Sequence, residues 1–279
     1  MTNPTHSALP FRLGTTSYII EADLVTNAAF LADKVRDMQL VLFDLPNGPS
    51  NLPSPADVDA LNSIAQTSGL RYTVHLVDDL RLSDQGTLEH PSLQKAEAVI
   101  ALTRPLAPWA YVLHLDGRQV QAPTVSANAL HTWRQHAVRA LQHVTTWVSN
   151  PVLLAVENLE GYLPDFVTPV VAQLPVSRCV DIGHLWRDGH DPLPWLDQAL
   201  AQTRVVHLHG VTRNKGEQPR DHQSLAHLAP GELDRVINRL ISANYTGVLT
   251  LEVFGEIDFA ESRAALLASV ERCNAAFMC

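Results

Sequence analysis

The stretch VSRCVDIGHLWRDGHDPLPWLDQALAQTRVVHLHG, residues 176–210, reads as strand, helix, strand. Its two ends are short apolar runs rich in β-branched residues, and a helical pattern at about 192–202 separates them. Both strands finish on residue types that bind metals. Asp181 and His184 straddle the turn out of the first, and His207 and His209 share one face of the second, with Leu208 on the other. A strand–helix–strand unit of this kind is the building block of a parallel α/β sheet.

The same unit recurs along the chain. Apolar runs at about 11–20, 38–45, 71–77, 109–115, 151–157, 176–182, 204–209 and 246–254 predict eight strands. Helical patterns at 23–37, 54–69, 91–104, 124–149, 162–173, 192–202, 230–243 and 258–276 fall between and after them. The second has Ser54 as N-cap, Pro55 at the first helical position and Gly69 just past its end. Eight such pairs without a break in composition predict one (β/α)8 TIM barrel over residues 11–279, behind a flexible tail at 1–10. An open doubly wound sheet is the competing arrangement. It is disfavoured because neither a GxGxxG nor a GxxxxGK[ST] loop follows any strand. Long loops at about 45–54, 77–91 and 210–229 all follow strands, which in a barrel sets them over the active face.

Composition narrows the function class. The 279 residues are 46% hydrophobic and 18% charged, ordinary for a globular protein with a large core. The apolar stretches are too short to span a membrane, and the first residues lack the pattern of a signal peptide. Cys179, Cys273 and Cys279 read as reduced thiols of a cytoplasmic protein rather than a disulfide frame. A net charge of −9 opposes phosphate-backbone binding and favours a small-molecule substrate over nucleic acid or a membrane. Oligomeric state is not legible.

Ligand types recur at the other strand ends. YTVHL ends in His75, YVLHLDG holds His114, LLAVENLEG holds Glu157 and TLEVF holds Glu252. Taken singly, a histidine at a strand end is ordinarily a hydrogen-bonded rim residue. Glu157 and Asp181 directly follow apolar runs, where an unpaired carboxylate is costly. Parallel barrel strands end at one face, so these residues converge whatever their separation in sequence. An imidazole and carboxylate set without thiolates suits Zn²⁺, with Mn²⁺ or Fe²⁺ as alternatives. Glu157, Asp181, His207 and Glu252 form a four-residue core. His75 and His114 hold a second ion sharing Glu157, and His184 with Asp221 or His222 a third, so one to three ions are expected. His209 is the weakest member of the set, supporting His207 or touching substrate. Trp186 on the rim is a candidate ligand contact. Arg213, Lys215 and Arg220 are either a solvated loop or a clamp for phosphate. No GxSxG elbow is present, so covalent nucleophilic catalysis has little support.

In this order the ligands resemble those of the xylose-isomerase-like barrels, which include endonuclease IV-type nucleases and sugar epimerases. The likeness rests on the strand-3 and strand-4 histidines, the Glu157–Asn158 pair, Asp181-x-x-His184, His207–Leu208 and Glu252. It implies Glu157, Asp181, His207 and Glu252 as the ligands of a single-metal epimerase, with further histidines completing a multinuclear site in the nucleases. The nuclease pattern D-x-H is replaced here by adjacent Asp221 and His222. A narrower resemblance, in RLGTTSYI, LVLFDLPNGPSNLPSP, LRYTVHL, AYVLHLDG, RDHQSL and GVLTLEVF, is to the cobamide-remodelling phosphodiesterases. It implies hydrolysis of the nucleotide loop at the phosphoribosyl bond, leaving a phosphate-bearing corrinoid and the riboside of the lower base. Under that expectation Glu157 and Glu252 fix an activated water, and His184 or His222 protonates the leaving oxygen. The competing expectations are a sugar or sugar-phosphate epimerase, a DNA repair nuclease and a non-catalytic corrinoid carrier.

Overall fold

The computed structural model describes residues 9–121 and 124–277. Eight parallel strands close into a barrel: β1 (Arg12–Thr16), β2 (Asp37–Val41), β3 (Arg71–His75), β4 (Tyr111–Leu113), β5 (Leu154–Glu157), β6 (Ser177–Asp181), β7 (Thr203–Leu208) and, last in the chain, β10 (Val248–Leu251). β10 pairs with both β7 and β1 and so closes the ring. The expected strands are all present but shorter, because the apolar runs continue past the hydrogen-bonded ladder into the loops.

Helices cover the outside: α1 (Leu24–Leu31), α2 (Pro55–Ser68), α3 (Pro91–Thr103), α4 (Ala127–Thr145), α5 (Thr168–Val171), α6 (Ile182–Arg187), α7 (Pro192–Ala199), α8 (Pro230–Ser242) and α9 (Glu256–Phe277). The Ser54 side chain accepts from the Asp57 amide while Asp57 accepts from the Ser54 amide, a capping box, and Gly69 ends α2 at φ 76°. Two local elements depart from expectation. The helix at 162–173 shrinks to Thr168–Val171, and the loop after β7 folds as a hairpin of β8 (Gly210–Thr212) and β9 (Arg220–Gln223). Of the expected tail, residues 1–8 lie outside the described residues. Leu9 packs against the core.

Alternation sorts the side chains. One face of each strand joins the helices in the main core, including Leu13, Leu40, Val74, Leu113 and Leu249, none more than 2% exposed. Truncating such a leucine to alanine costs about 2–5 kcal/mol. The other face points into the barrel, where Ala110, Val112, Ala155, Cys179 and Val205 make a small apolar floor. Below it the guanidinium groups of Arg12 and Arg204 lie 4.0 and 3.8 Å from the Trp109 ring centre and close the bottom. No helix among the described residues is long and apolar enough to cross a membrane.

Candidate metal centre

Above that floor the barrel turns polar. Glu157, Asp181, His207 and Glu252 are each 6% exposed or less, and one ligand atom from each lies within 4.8 Å of the others. His207 Nδ1 faces three carboxylates, with Glu157 at 2.8 Å, Glu252 at 3.2 Å and Asp181 at 3.7 Å. Burial alone would raise the Glu157 carboxyl. The His207 charge and hydrogen bonds from His114, His207 and His75 outweigh it and hold the group well below its usual range. Burial likewise disfavours charge on Asp181, yet the His184 charge and the His209 ring facing it keep it ionised. Three ionised carboxylates around one imidazole leave excess negative charge, and Asp181 Oδ2 has no hydrogen-bond partner. A divalent cation fits that deficit.

A second group lies beside the core. His75 Nε2 is 3.2 Å from His114 Nε2, and Glu157 Oε2 is 3.1 Å from His114 and 3.5 Å from His75. His75 Nδ1 donates to the Leu76 carbonyl at 2.9 Å, and His114 Nδ1 donates to Asp79 at 3.0 Å. Each Nδ1 is thus committed to an oxygen, and both Nε2 atoms converge on one carboxylate. Burial opposes charge on His114, but Asp79 and Glu157 push its pKa up to about 10. The donor set fits a second cation that shares Glu157 with the first.

The third group is His184, His209 and His222. His184 and His222 turn their Nδ1 atoms to the carbonyl oxygens of Asn158 (3.2 Å) and Glu252 (3.1 Å), and His184 Nε2 lies 3.5 Å from a Glu160 carboxylate oxygen. The His209 ring accepts the His222 backbone N–H at 2.9 Å and lies 3.3 Å from Asp181, linking this group to the carboxylate core. Gly183 makes room for it, since a Cβ there would stand 2.1 Å from the His209 ring.

Local structure explains the motif spacings. Asp181 ends β6 and caps α6, accepting the His184 amide at 2.6 Å, so Asp-x-x-His is an N-cap with its third-position partner. Asn158 donates to the Asp181 carbonyl and accepts its amide, both at 2.9 Å, which ties Glu157's strand to Asp181's.

Other expected residues are placed differently. Asp221 pairs with Arg187 at 3.1 Å and lies outside all three groups, and His209 stands in the third where Asp221 was expected. Trp186 is 6% exposed in the core, so its ring offers a ligand little surface; its carbonyl accepts from Arg213. Arg213, Lys215 and Arg220 are exposed on the β8–β9 hairpin. Cys179 lies under the core, within reach of Glu157 and His207, and burial keeps its thiol neutral. Cys179 and Cys273 are free, and Cys279 falls outside the described residues.

Two contributors escaped the sequence. Gln39, fully buried on β2, accepts from His207 Nε2 at 2.7 Å and donates to Glu252 at 3.2 Å, joining two ligands. Asp79 orients His114. A polar residue inside the apolar run MQLVLF was the one available sign of Gln39; Asp79, in a loop, gave none.

Neither a protein-family model nor a curated protein sequence matches the chain. Solved structures do. A D-tagatose 3-epimerase-like protein superposes with a TM-score of 0.72 at 16% identity, over 96% of this chain and 100% of that one. A xylose isomerase domain protein from Planctomyces limnophilus gives 0.66 at 13% identity, over 95% and 98%. The fold is that of the xylose-isomerase-like barrels. Endonuclease IV from Thermus thermophilus shares it at a TM-score of 0.63 and 22% identity, over 94% of this chain and 99% of that one. Identities this low speak for the barrel alone.

Proposed function

We propose that the chain is a metal-dependent hydrolase that cleaves the phosphoribosyl bond in the nucleotide loop of cobamides. The observation carrying this reading is the His75–His114 pair converging on Glu157, a ligand of the four-residue core. Chemistry on a sugar needs the four-residue core only, whereas phosphodiester cleavage gains from adjacent cations that offset charge on attacking and leaving oxygens. Zinc suits the donor set best. Bound there, it supplies Lewis acidity and lowers the pKa of water.

Within that scheme Glu157 and Glu252 orient the water for in-line attack on phosphorus. The bond from phosphorus to the ribose oxygen breaks, the phosphate stays on the corrinoid, and the ribose oxygen leaves with a proton. Of the two imidazoles near enough to supply it, His184 is held charged by Asp181 and the core carboxylates despite the cost of burial. Burial leaves His222 neutral. That difference belongs to the metal-free protein; with ions on the carboxylates, either His184 or His222 would supply the proton. Exposed Arg213, Lys215 and Arg220 on the β8–β9 hairpin would meet the phosphate in this reading, and the net charge of −9 favours such a small substrate over DNA.

The test is incubation of metal-loaded protein with a complete cobamide, with and without chelator, and identification of products by mass. A base riboside with a phosphate-bearing corrinoid, lost with chelator, is expected. Unchanged cobamide with one ion per chain would instead favour an epimerase using Glu157 and Glu252 as its acid–base pair.

A further inference from the structure

The exposed large hydrophobic side chains among the described residues are Leu45, Val152, Leu163, Phe254 and Ile257, and all but Val152 lie on the loops and helix start that follow barrel strands. The apolar surface is thus gathered at the face that carries the ligands. Exposed apolar groups ringing a charged centre mark a binding mouth for a ligand with an apolar part.

Phe254 is the aromatic member of that set. It lies two residues after Glu252 and is 44% exposed. His222 meets it at 5.4 Å between ring centres and 67°, and Tyr18 at 6.3 Å and 65°. Neither ring lies parallel on Phe254, so both brace it edge to face and leave it ring surface to offer. The brace is itself fixed. Asn51 donates to the Tyr18 hydroxyl at 2.9 Å, and the Gly255 amide donates to the Tyr18 carbonyl at 3.0 Å. A ring held in this way loses little freedom when a ligand stacks on it.

We infer that Phe254 is the stacking surface for the heteroaromatic base of the substrate, and hence a residue that sets specificity. The inference rests on the phosphodiesterase reading for where the phosphate sits, at the ligand cluster beside His222. A base one ribose away from that phosphate comes within reach of the Phe254 ring. A sugar has no π-face and only a small C–H patch to lay on the ring, so it would gain less from it than a base.

The test uses metal-loaded, full-length protein and two probes, adenosine 3′-monophosphate and ribose 5-phosphate, titrated by calorimetry. Phe254→Ala should weaken the nucleotide about 10- to 100-fold, the worth of one base on an aromatic ring. Ribose 5-phosphate binding and metal content should not change. Phe254→Trp should restore nucleotide binding, and the KM for cobamide should rise in the alanine variant by a similar factor. Equal nucleotide binding by wild type and Phe254→Ala, or none by either, overturns the stacking surface, even if both cleave cobamide. Phe254-dependent nucleotide binding by a protein that leaves cobamide intact supports the stacking surface and removes the substrate instead.

Discussion

His75 and His114 point their Nε2 atoms at each other from 3.2 Å while each commits its Nδ1 to an oxygen. In the metal-free protein a proton on His114 holds this pair and Glu157 together, and a cation would take its place. His114→Ala should therefore remove one ion per chain, counted by plasma mass spectrometry, and spare the rest. Asp79→Ala should lower affinity for that ion about 10- to 100-fold. An unchanged ion count in His114→Ala would refute the pairing.

Gln39 joins His207 to Glu252. Gln39→Leu keeps the volume and removes both hydrogen bonds, so metal affinity or turnover should fall about 10- to 100-fold, with the far-ultraviolet spectrum unchanged. Gln39→Glu would add a fourth buried carboxylate and should not rescue it. Wild-type turnover in the leucine variant would show that the bridge is idle.

Gly183→Ala puts a methyl group into the His209 ring. Alanine suits the interior of α6, so the helix should persist and the damage fall on the three-histidine group. Loss of one ion and retention of the others is the expected result, read by the same count.

Glu157 belongs to two groups and Asp181 to the core. Glu157→Ala or Asp181→Ala should reduce turnover to background without unfolding the barrel. Chelation of the wild-type protein should lower its melting temperature by several degrees, since ions that bind only the folded chain stabilise it by mass action. Near-wild-type turnover in either variant would sink the assignment.

Asp37, at the bottom of the barrel, is fully buried and neither oxygen has a hydrogen-bond partner. Burial pushes its carboxyl up to about 6, against nearby Thr73 and the charges of Arg12 and Arg71. The folded chain thus keeps this proton to about pH 6, whereas the unfolded chain releases it near pH 4. Stability falls as pH rises through that window and stays lower above it. Asp37→Asn should stabilise the metal-free protein at pH 8 by up to roughly 3 kcal/mol and have no effect below about pH 4. Urea unfolding at the two pH values measures this.

The barrel was legible because each strand–helix pair repeats one local pattern, and closure followed from having eight of them. Ligand types at strand ends were equally visible, since topology carries them to one rim. Partner choice was not. Asp221 turns to Arg187, and His209 reaches the third group only because Gly183 lacks a Cβ, a contact between α6 and the end of β7 that no spacing rule encodes. Gln39 and Asp79 act through side-chain hydrogen bonds across strands, where sequence distance carries no information. The β8–β9 hairpin was hidden because β8 is only three residues long and β9 is polar throughout.

Glu252 follows the strand that shuts the ring between β7 and β1, after every other ligand of the core in sequence. A ribosome delivers His75, His114, Glu157, Asp181 and His207 well before it, and domains begin folding from the N-terminal side during synthesis. The carboxylate core is therefore incomplete in every nascent chain that has not yet released its last strand. Tight metal capture therefore waits on closure of the barrel.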